Sequence, residues 1–168
     1  LSLHAEHKTE DALRLMQQGL SKNPFDTRLL LLASQLSYEL HDERKAEDYL
    51  LKAKDNAEDL EEIALRLSNL YLEQERFDEV LKFEEQDIDN VLTKWNIARA
   101  YQALEQTTAA LERYRLLLSD LKENPEFLEQ YIYLLREMGD FEEAKHQAEH
   151  YLHLVPDDVE MQELYDSL

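Results

Sequence analysis

Apolar residues in this chain recur at intervals of three and four. Leu60, Ile63, Ala64, Leu67, Leu70 and Tyr71 make one stripe, and Ile97, Ala98, Tyr101 and Leu104 make a second. Phe127, Leu128, Tyr131, Ile132, Leu134 and Leu135 make a wider one, as a helix covered on two sides requires. No segment alternates cleanly for more than a few residues, so the pattern predicts an all-α fold. Breaks fall at Ser21-Lys22-Asn23-Pro24, Lys122-Glu123-Asn124-Pro125, Met138-Gly139-Asp140 and Val155-Pro156-Asp157-Asp158. Proline lacks the amide donor of a helix interior and suits a first turn, while glycine costs least at a left-handed helix end. Between the breaks lie helices of about 12 to 16 residues on short loops, which makes a series of antiparallel hairpins.

The hairpins repeat. Phe141-Glu142-Glu143-Ala144 and Phe77-Asp78-Glu79-Val80 are the same turn, and Ala12, Ala46 and Ala110 occupy the position of Ala144 and Val80. From Ala12 through Ala46, Val80 and Ala110 to Ala144 the steps are 34, 34, 30 and 34 residues. A small residue belongs there because the second helix of each hairpin crosses the first closely. Nine residues upstream of the last three anchors stand Tyr71, Tyr101 and Leu135. Twelve upstream stand Ser34, Ser68, Ala98 and Ile132, the first three of them small. Pro24 and Pro156 follow Ala12 and Ala144 at twelve residues and close their hairpins. The step of 30 implies a clipped second helix or a tight loop before Val91.

A 34-residue helix–turn–helix period is the mark of one family. This chain resembles the tetratricopeptide repeat (TPR) family over nearly its whole length, most closely from Leu128 to Pro156, where Gly139, Phe141, Ala144 and Pro156 match the motif. It departs from the family at the first-helix Trp, replaced by Leu30, Ala64, Lys94 and Leu128, with Trp95 one position late. The resemblance implies a right-handed superhelical solenoid: a partial repeat at 1–24, repeats at 27–60, 61–90, 91–124 and 125–158, and a terminal helix at 159–168. In that register Leu1 to Glu6 are the tail of a first helix that ends before Ala12. The chain opens on Leu1 rather than Met, so it reads as a C-terminal fragment of a longer bacterial-type protein, with any targeting segment upstream.

Composition narrows the chemistry. With no cysteine there is no disulfide framework, thiolate metal site or Cys nucleophile. Two glycines leave no room for a dinucleotide or nucleotide cradle. The formal net charge of -20 argues against nucleic acid, whose binding rests on basic patches. The longest apolar run, Leu29 to Ala33, is far shorter than a membrane span. Acidic pairs such as Glu61-Glu62 are frequent, but general acid–base work needs a cleft that shifts their pKa values, and on exposed helix faces they are solvated surface. No nucleophile elbow is present, so no enzymatic activity is expected. His146, His150 and His153 stand at i, i+4 and i+7 of one helix, a spacing at which two imidazoles can share a metal. Without a fourth ligand from another element they read as solvated helix histidines, and no metal or cofactor is expected.

The resemblance places first helices on a concave face. The inward positions are then Arg28, Leu31, Leu32, Gln35 and Tyr38; Glu62, Leu65, Arg66, Asn69 and Leu72; Leu92, Trp95, Asn96, Arg99 and Gln102; and Glu126, Glu129, Gln130, Tyr133 and Arg136. They hold four Arg against three Glu in a chain of net charge -20. Asn and Gln amides can pair with an extended backbone, Arg can fork onto a carboxylate, and Trp and Tyr are common interface anchors. The candidate peptide-binding residues are Arg66, Asn69, Trp95, Asn96, Arg99, Tyr133 and Arg136, although Trp95 equally suits a plug between hairpins. Asn69 matches one position of the family's carboxylate clamp, but Leu31 and Trp95 stand where that clamp uses Lys or Asn, so the clamp is not carried over. The expected role is a cytoplasmic, non-catalytic scaffold that binds an extended peptide or helix of a partner protein, with neither nucleic acid nor membrane as partner. The alternatives are a self-association module, including a homodimer, and the ligand-sensing part of a larger regulator.

Overall fold

Good helix formers, regularly interrupted, fold as the periodicity predicts. The computed structural model describes residues 2–168, and among them there are ten α-helices, one 3₁₀ turn and no strand. In chain order they are α1 (Leu3–Lys22), α2 (Thr27–Glu39), α3 (Glu43–Asn56), α4 (Glu61–Glu73), α5 (Phe77–Leu81) with a 3₁₀ turn (Lys82–Glu85), α6 (Val91–Ala103), α7 (Thr107–Leu121), α8 (Pro125–Glu137), α9 (Phe141–Leu154) and α10 (Val159–Ser167). They gather into two compact units, Leu1–Thr93 and Lys94–Leu168.

The small-residue positions lie where helices meet. Ala46, Val80, Ala110 and Ala144 are buried, and so are Ser34, Ser68, Ala98 and Ile132 one helix earlier. In the first unit the α2–α3 crossing is close enough for the Ser34 hydroxyl to donate to the Ala46 carbonyl at 2.9 Å. Gly19 serves the α1–α2 approach, since a Cβ there would come within 2.9 Å of Leu29 Cδ1.

Helix ends follow the same phase. The amide three residues on donates to the side chains of Asp26, Asp42, Asn124, Asp140 and Asp158, and Asn90 caps Thr93 in the same way. Each satisfies an amide with no partner inside its helix, and the aspartates put negative charge at the positive end of the helix dipole. At the other end, four residues adopt a left-handed backbone: His41 (φ 61°), Glu75 (φ 56°), Glu105 (φ 59°) and Gly139 (φ 79°). The next amides, of Asp42, Arg76, Gln106 and Asp140, then donate to Ser37, Tyr71, Tyr101 and Leu135 carbonyls at 2.8–2.9 Å. Only Gly139 carries the residue that this conformation favours.

Two stretches refine the sequence reading. The break expected between Glu6 and Ala12 is absent: α1 runs unbroken from Leu3 to Lys22. Ser2 caps it, and the Thr9 hydroxyl donates back to the Ala5 carbonyl at 2.9 Å instead of opening a turn. Nothing between Ser2 and Leu15 forces a helix to stop, and Leu1 lies outside the described residues. The short repeat loses its residues from its second helix, where α5 is only five residues long. Phe83, in the 3₁₀ turn, stacks on Tyr71 with ring centroids 6.3 Å apart and restores apolar cover.

Each unit has one dominant polar or aromatic tie. In the first, Arg76 forks onto Glu47 at 2.7 and 3.0 Å and lies 4.4 Å from the Tyr71 ring centroid. The hydrogen bond from Arg76 holds Glu47 below the ordinary value of 4.5. Burial first, then the Glu47 charge, pushes Tyr71 up to about 12. In the second, Trp95, Tyr114, Phe127 and Tyr131 form a continuous aromatic cluster with centroid spacings of 5.3–6.2 Å.

Replacing His41, Glu75 or Glu105 by Gly should stabilise the fold by roughly 0.5–1 kcal/mol each, because an L side chain is strained in the left-handed region. Denaturant midpoints should rise with unchanged slope, and Gly139→Ala should move the midpoint the other way. A depressed folded pKa means that the Glu47–Arg76 tie stabilises fully above pH 4.5 and fades as pH falls through the folded value. Arg76→Met should therefore be less stable than wild type at neutral pH, and the two should converge on acidification in pH-dependent melting curves.

Candidate functional site

The first-helix faces of the two units carry the candidate residues, each unit its own set. In the first unit, Arg66 and Asn69 stand about one turn apart on α4. Arg66 is half-buried; it forms an ion pair with Glu62 at 2.7 Å and donates to the Leu31 carbonyl at 3.1 Å. Asn69 is exposed at the helix surface. Both line a cavity of about 160 Å³ with Ser34, Gln35, Tyr38, Ala46, Leu50, Leu70 and Glu73. At its rim the Tyr38 hydroxyl donates to the Glu73 carboxylate, 2.9 and 2.7 Å from its two oxygens. That hydrogen bond is the main reason the Tyr38 pKa is raised, so the phenol stays a neutral donor.

In the second unit, α6 carries Trp95, Asn96 and Arg99, and α8 carries Tyr133 and Arg136. Trp95 and Asn96 do not present themselves to solvent; they are only 6% and 3% exposed. The indole packs edge-on against Phe127 at 5.7 Å and donates to Gln130 Oε1 at 3.1 Å. The same oxygen accepts from the Tyr114 hydroxyl at 2.9 Å. Burial pushes the Tyr114 pKa up to about 12. Trp95 is thus a plug between hairpins, and it supports Arg99, whose guanidinium lies 4.9 Å from the indole centroid. Arg99 also reaches Glu126 at 3.3 Å. Tyr133 and Arg136 are exposed, and Arg136 has no carboxylate partner among the described residues. Burial and the charges of Glu129, Glu160 and Asp158 raise the Tyr133 pKa, against the opposing charge of Arg136.

The sequence positions therefore separate by role. Arg66 and Arg99 are already neutralised by acids of this chain, while Arg136 offers its charge outward. Glu73 was not among the inward positions, and Gln130 was not singled out. The signal that finds both is an offset of 35 residues. Tyr38 meets Glu73, Leu31 meets Arg66 and Trp95 meets Gln130, each pair one repeat plus one residue apart.

His146, His150 and His153 border an open groove of about 440 Å³ with Leu118 and Lys122. His150 Nε2 lies 2.9 Å from the Lys122 carbonyl and His153 Nδ1 lies 2.8 Å from the Glu149 carbonyl. Among the described residues no group of three or more His, Asp or Glu is arranged to hold a metal ion. No helix among them is long and apolar enough to cross a membrane.

Hairpins closed by left-handed caps and crossed at small residues in a 34-residue phase are one known repeat type. The fold is that of a tetratricopeptide-repeat protein. Residues 92–158 match the family described as YpiA-like, C-terminal tetratricopeptide repeats. Among solved structures, YrrB, described as a TPR protein with an unusual peptide-binding site, superposes with a TM-score of 0.74 at 11% identity, over 98% of this chain and 87% of its own. MamA gives a TM-score of 0.75 at 13% identity over 94% of each chain. A thermophilic TPR protein of Thermus thermophilus gives 0.61 at 19% identity over 98% of this chain and 92% of its own. No curated protein sequence matches the chain. In this tetratricopeptide-repeat fold the hydrogen bonds to Gln130 hold the second unit's first helices together. Gln130→Leu leaves the Trp95 donor without its partner and should destabilise by about 2 kcal/mol. Tyr114→Phe should cost less, and denaturant titration of both variants checks the order.

Proposed function

We propose that the chain is a non-catalytic scaffold whose first-helix faces bind an extended peptide or helix of a partner protein. The observation that carries this reading is the exposed Tyr133–Arg136 pair on α8. An aromatic ring beside a guanidinium with no carboxylate partner is what interface hot spots are commonly made of. Arg66, Asn69 and Arg99 would contribute polar contacts, while Trp95 and Asn96 act from beneath the surface by holding α6 in place. The likeness to YrrB supports the fold that such a role needs; its peptide site is that protein's own.

The test is capture of partners from a lysate by the wild type and by Tyr133→Ala plus Arg136→Ala. Both side chains are exposed, so the melting temperature should stay the same while specific capture falls roughly tenfold, the effect of about 1.4 kcal/mol. Unchanged capture by the double variant would remove the groove reading. The second reading is self-association. The exposed apolar side chains Leu51 and Leu116, on second helices, favour it. Light scattering across a concentration series separates the two, because a dimer grows with concentration and a peptide scaffold stays monomeric.

A further inference from the structure

We infer that the cavity between α2 and α4 is a pocket for one basic side chain, Lys or Arg, of an extended peptide. The inference rests on the peptide-scaffold reading above and assigns its partner a chemistry.

The pocket is the right kind of space. Its lining includes Ala46, Leu50 and Leu70, which are apolar and buried, and its volume is about 160 Å³. An aliphatic stem lies against such a lining at little cost, provided that its charged end reaches a polar rim. The rim supplies Glu73, whose partner among the described residues is the neutral Tyr38 hydroxyl. A carboxylate that receives a hydrogen bond but has no cationic partner leaves a place for one at the mouth. Arg66, the cation in the lining, is neutralised by Glu62 at 2.7 Å and tied to the Leu31 carbonyl. It therefore does little to repel a second cation. The chain's net charge of -20 acts in the same direction at longer range and would draw a basic segment toward it.

The pocket exists because of one residue. Leu50 occupies the repeat position that Tyr114 occupies two repeats later, as Ala46 corresponds to Ala110. In the second unit the Tyr114 ring is fully buried, and its hydroxyl reaches Gln130 and Gln102 at 2.9 and 3.3 Å. At Leu50 the shorter side chain ends before that point and leaves the space open. A tyrosine is thus known to fit this register of the fold, which makes Leu50→Tyr a plug that the architecture already tolerates.

Random twelve-residue peptides displayed against the immobilised full chain provide the test, followed by fluorescence anisotropy with the enriched peptides. Enrichment of Lys or Arg at one fixed position is expected, with affinity falling as salt is added. Glu73→Gln, which keeps an acceptor for Tyr38, should weaken those peptides roughly fivefold, as expected for a partly exposed ion pair. Leu50→Tyr should weaken them roughly tenfold at an unchanged melting temperature. Enriched peptides without a basic residue, enrichment of acidic ones, or basic peptides indifferent to Glu73→Gln would overturn the pocket. In those cases the broader groove reading survives if Tyr133→Ala plus Arg136→Ala still weakens binding roughly tenfold. Enrichment of no peptide at all overturns both.

Discussion

Everything in this fold depends on how closely two short helices can cross. Helices of thirteen to fifteen residues are marginal alone and acquire their stability from packing. The crossing residue decides how near they come. At Ala46, Val80, Ala110 and Ala144 nothing larger than valine intervenes, and all four are buried. The α2–α3 pair is so close that a serine side chain on one helix bonds the backbone of the other. Once that distance is set, the hairpin must reverse within a few residues. The left-handed residue at each first-helix end is the solution, adopted even where the side chain is His or Glu.

The charge has two components that a net total hides. One part is structural: Asp26, Asp42, Asp140 and Asp158 cap helices, and Asp158 also accepts from the Tyr151 hydroxyl at 2.7 Å, tying α9 to α10. Caps need an acceptor at a fixed place, and an ionised aspartate adds a favourable interaction with the helix dipole. The other part bears on binding. On the first-helix faces, Glu62 and Glu126 occupy the guanidinium groups of Arg66 and Arg99. In the first unit this leaves Glu73 as a carboxylate without a countercharge beside an Arg66 that is already paired, whereas in the second unit Arg99 is paired and Arg136 is not.

Much of the fold was legible because it is periodic. Apolar spacing located the helices, small residues marked the crossings, and Pro24, Gly139 and Pro156 marked the phase. The failures were local. His41, Glu75 and Glu105 carry no composition signal for a left-handed backbone, since tertiary packing imposes it. The repeat match at Thr9 to Ala12 predicts a turn there, but no residue of that stretch breaks a helix and α1 runs through it. The candidate site was less legible than the fold. Successive helix positions turn by about 100°, so a side chain one place from the inward stripe can point into the core. Trp95 and Asn96 do so. Contacts between neighbouring first helices were invisible until the offset of 35 residues was known, and Glu73 and Gln130 become identifiable only through it.

Leu50 and Tyr114 show how a repeat protein acquires a site at all. Identical repeats bury identical surfaces, and a perfectly regular array has no reason to hold a ligand at one place rather than another. In the second unit a large aromatic residue fills the space between first helices, and its hydroxyl reaches the side-chain oxygens of Gln130 and Gln102 at 2.9 and 3.3 Å. In the first unit a smaller residue stands in the same register, Tyr38 and Arg66 stand where the two glutamines do, Glu73 lines the same space, and a cavity remains. The backbone needs no alteration for this. A change of side-chain volume at one buried position, with polar groups already gathered at the rim by the 35-residue offset, turns a packing layer into a recess. Function in this architecture is therefore to be sought where a repeat departs from its neighbours, not where it best fits the motif.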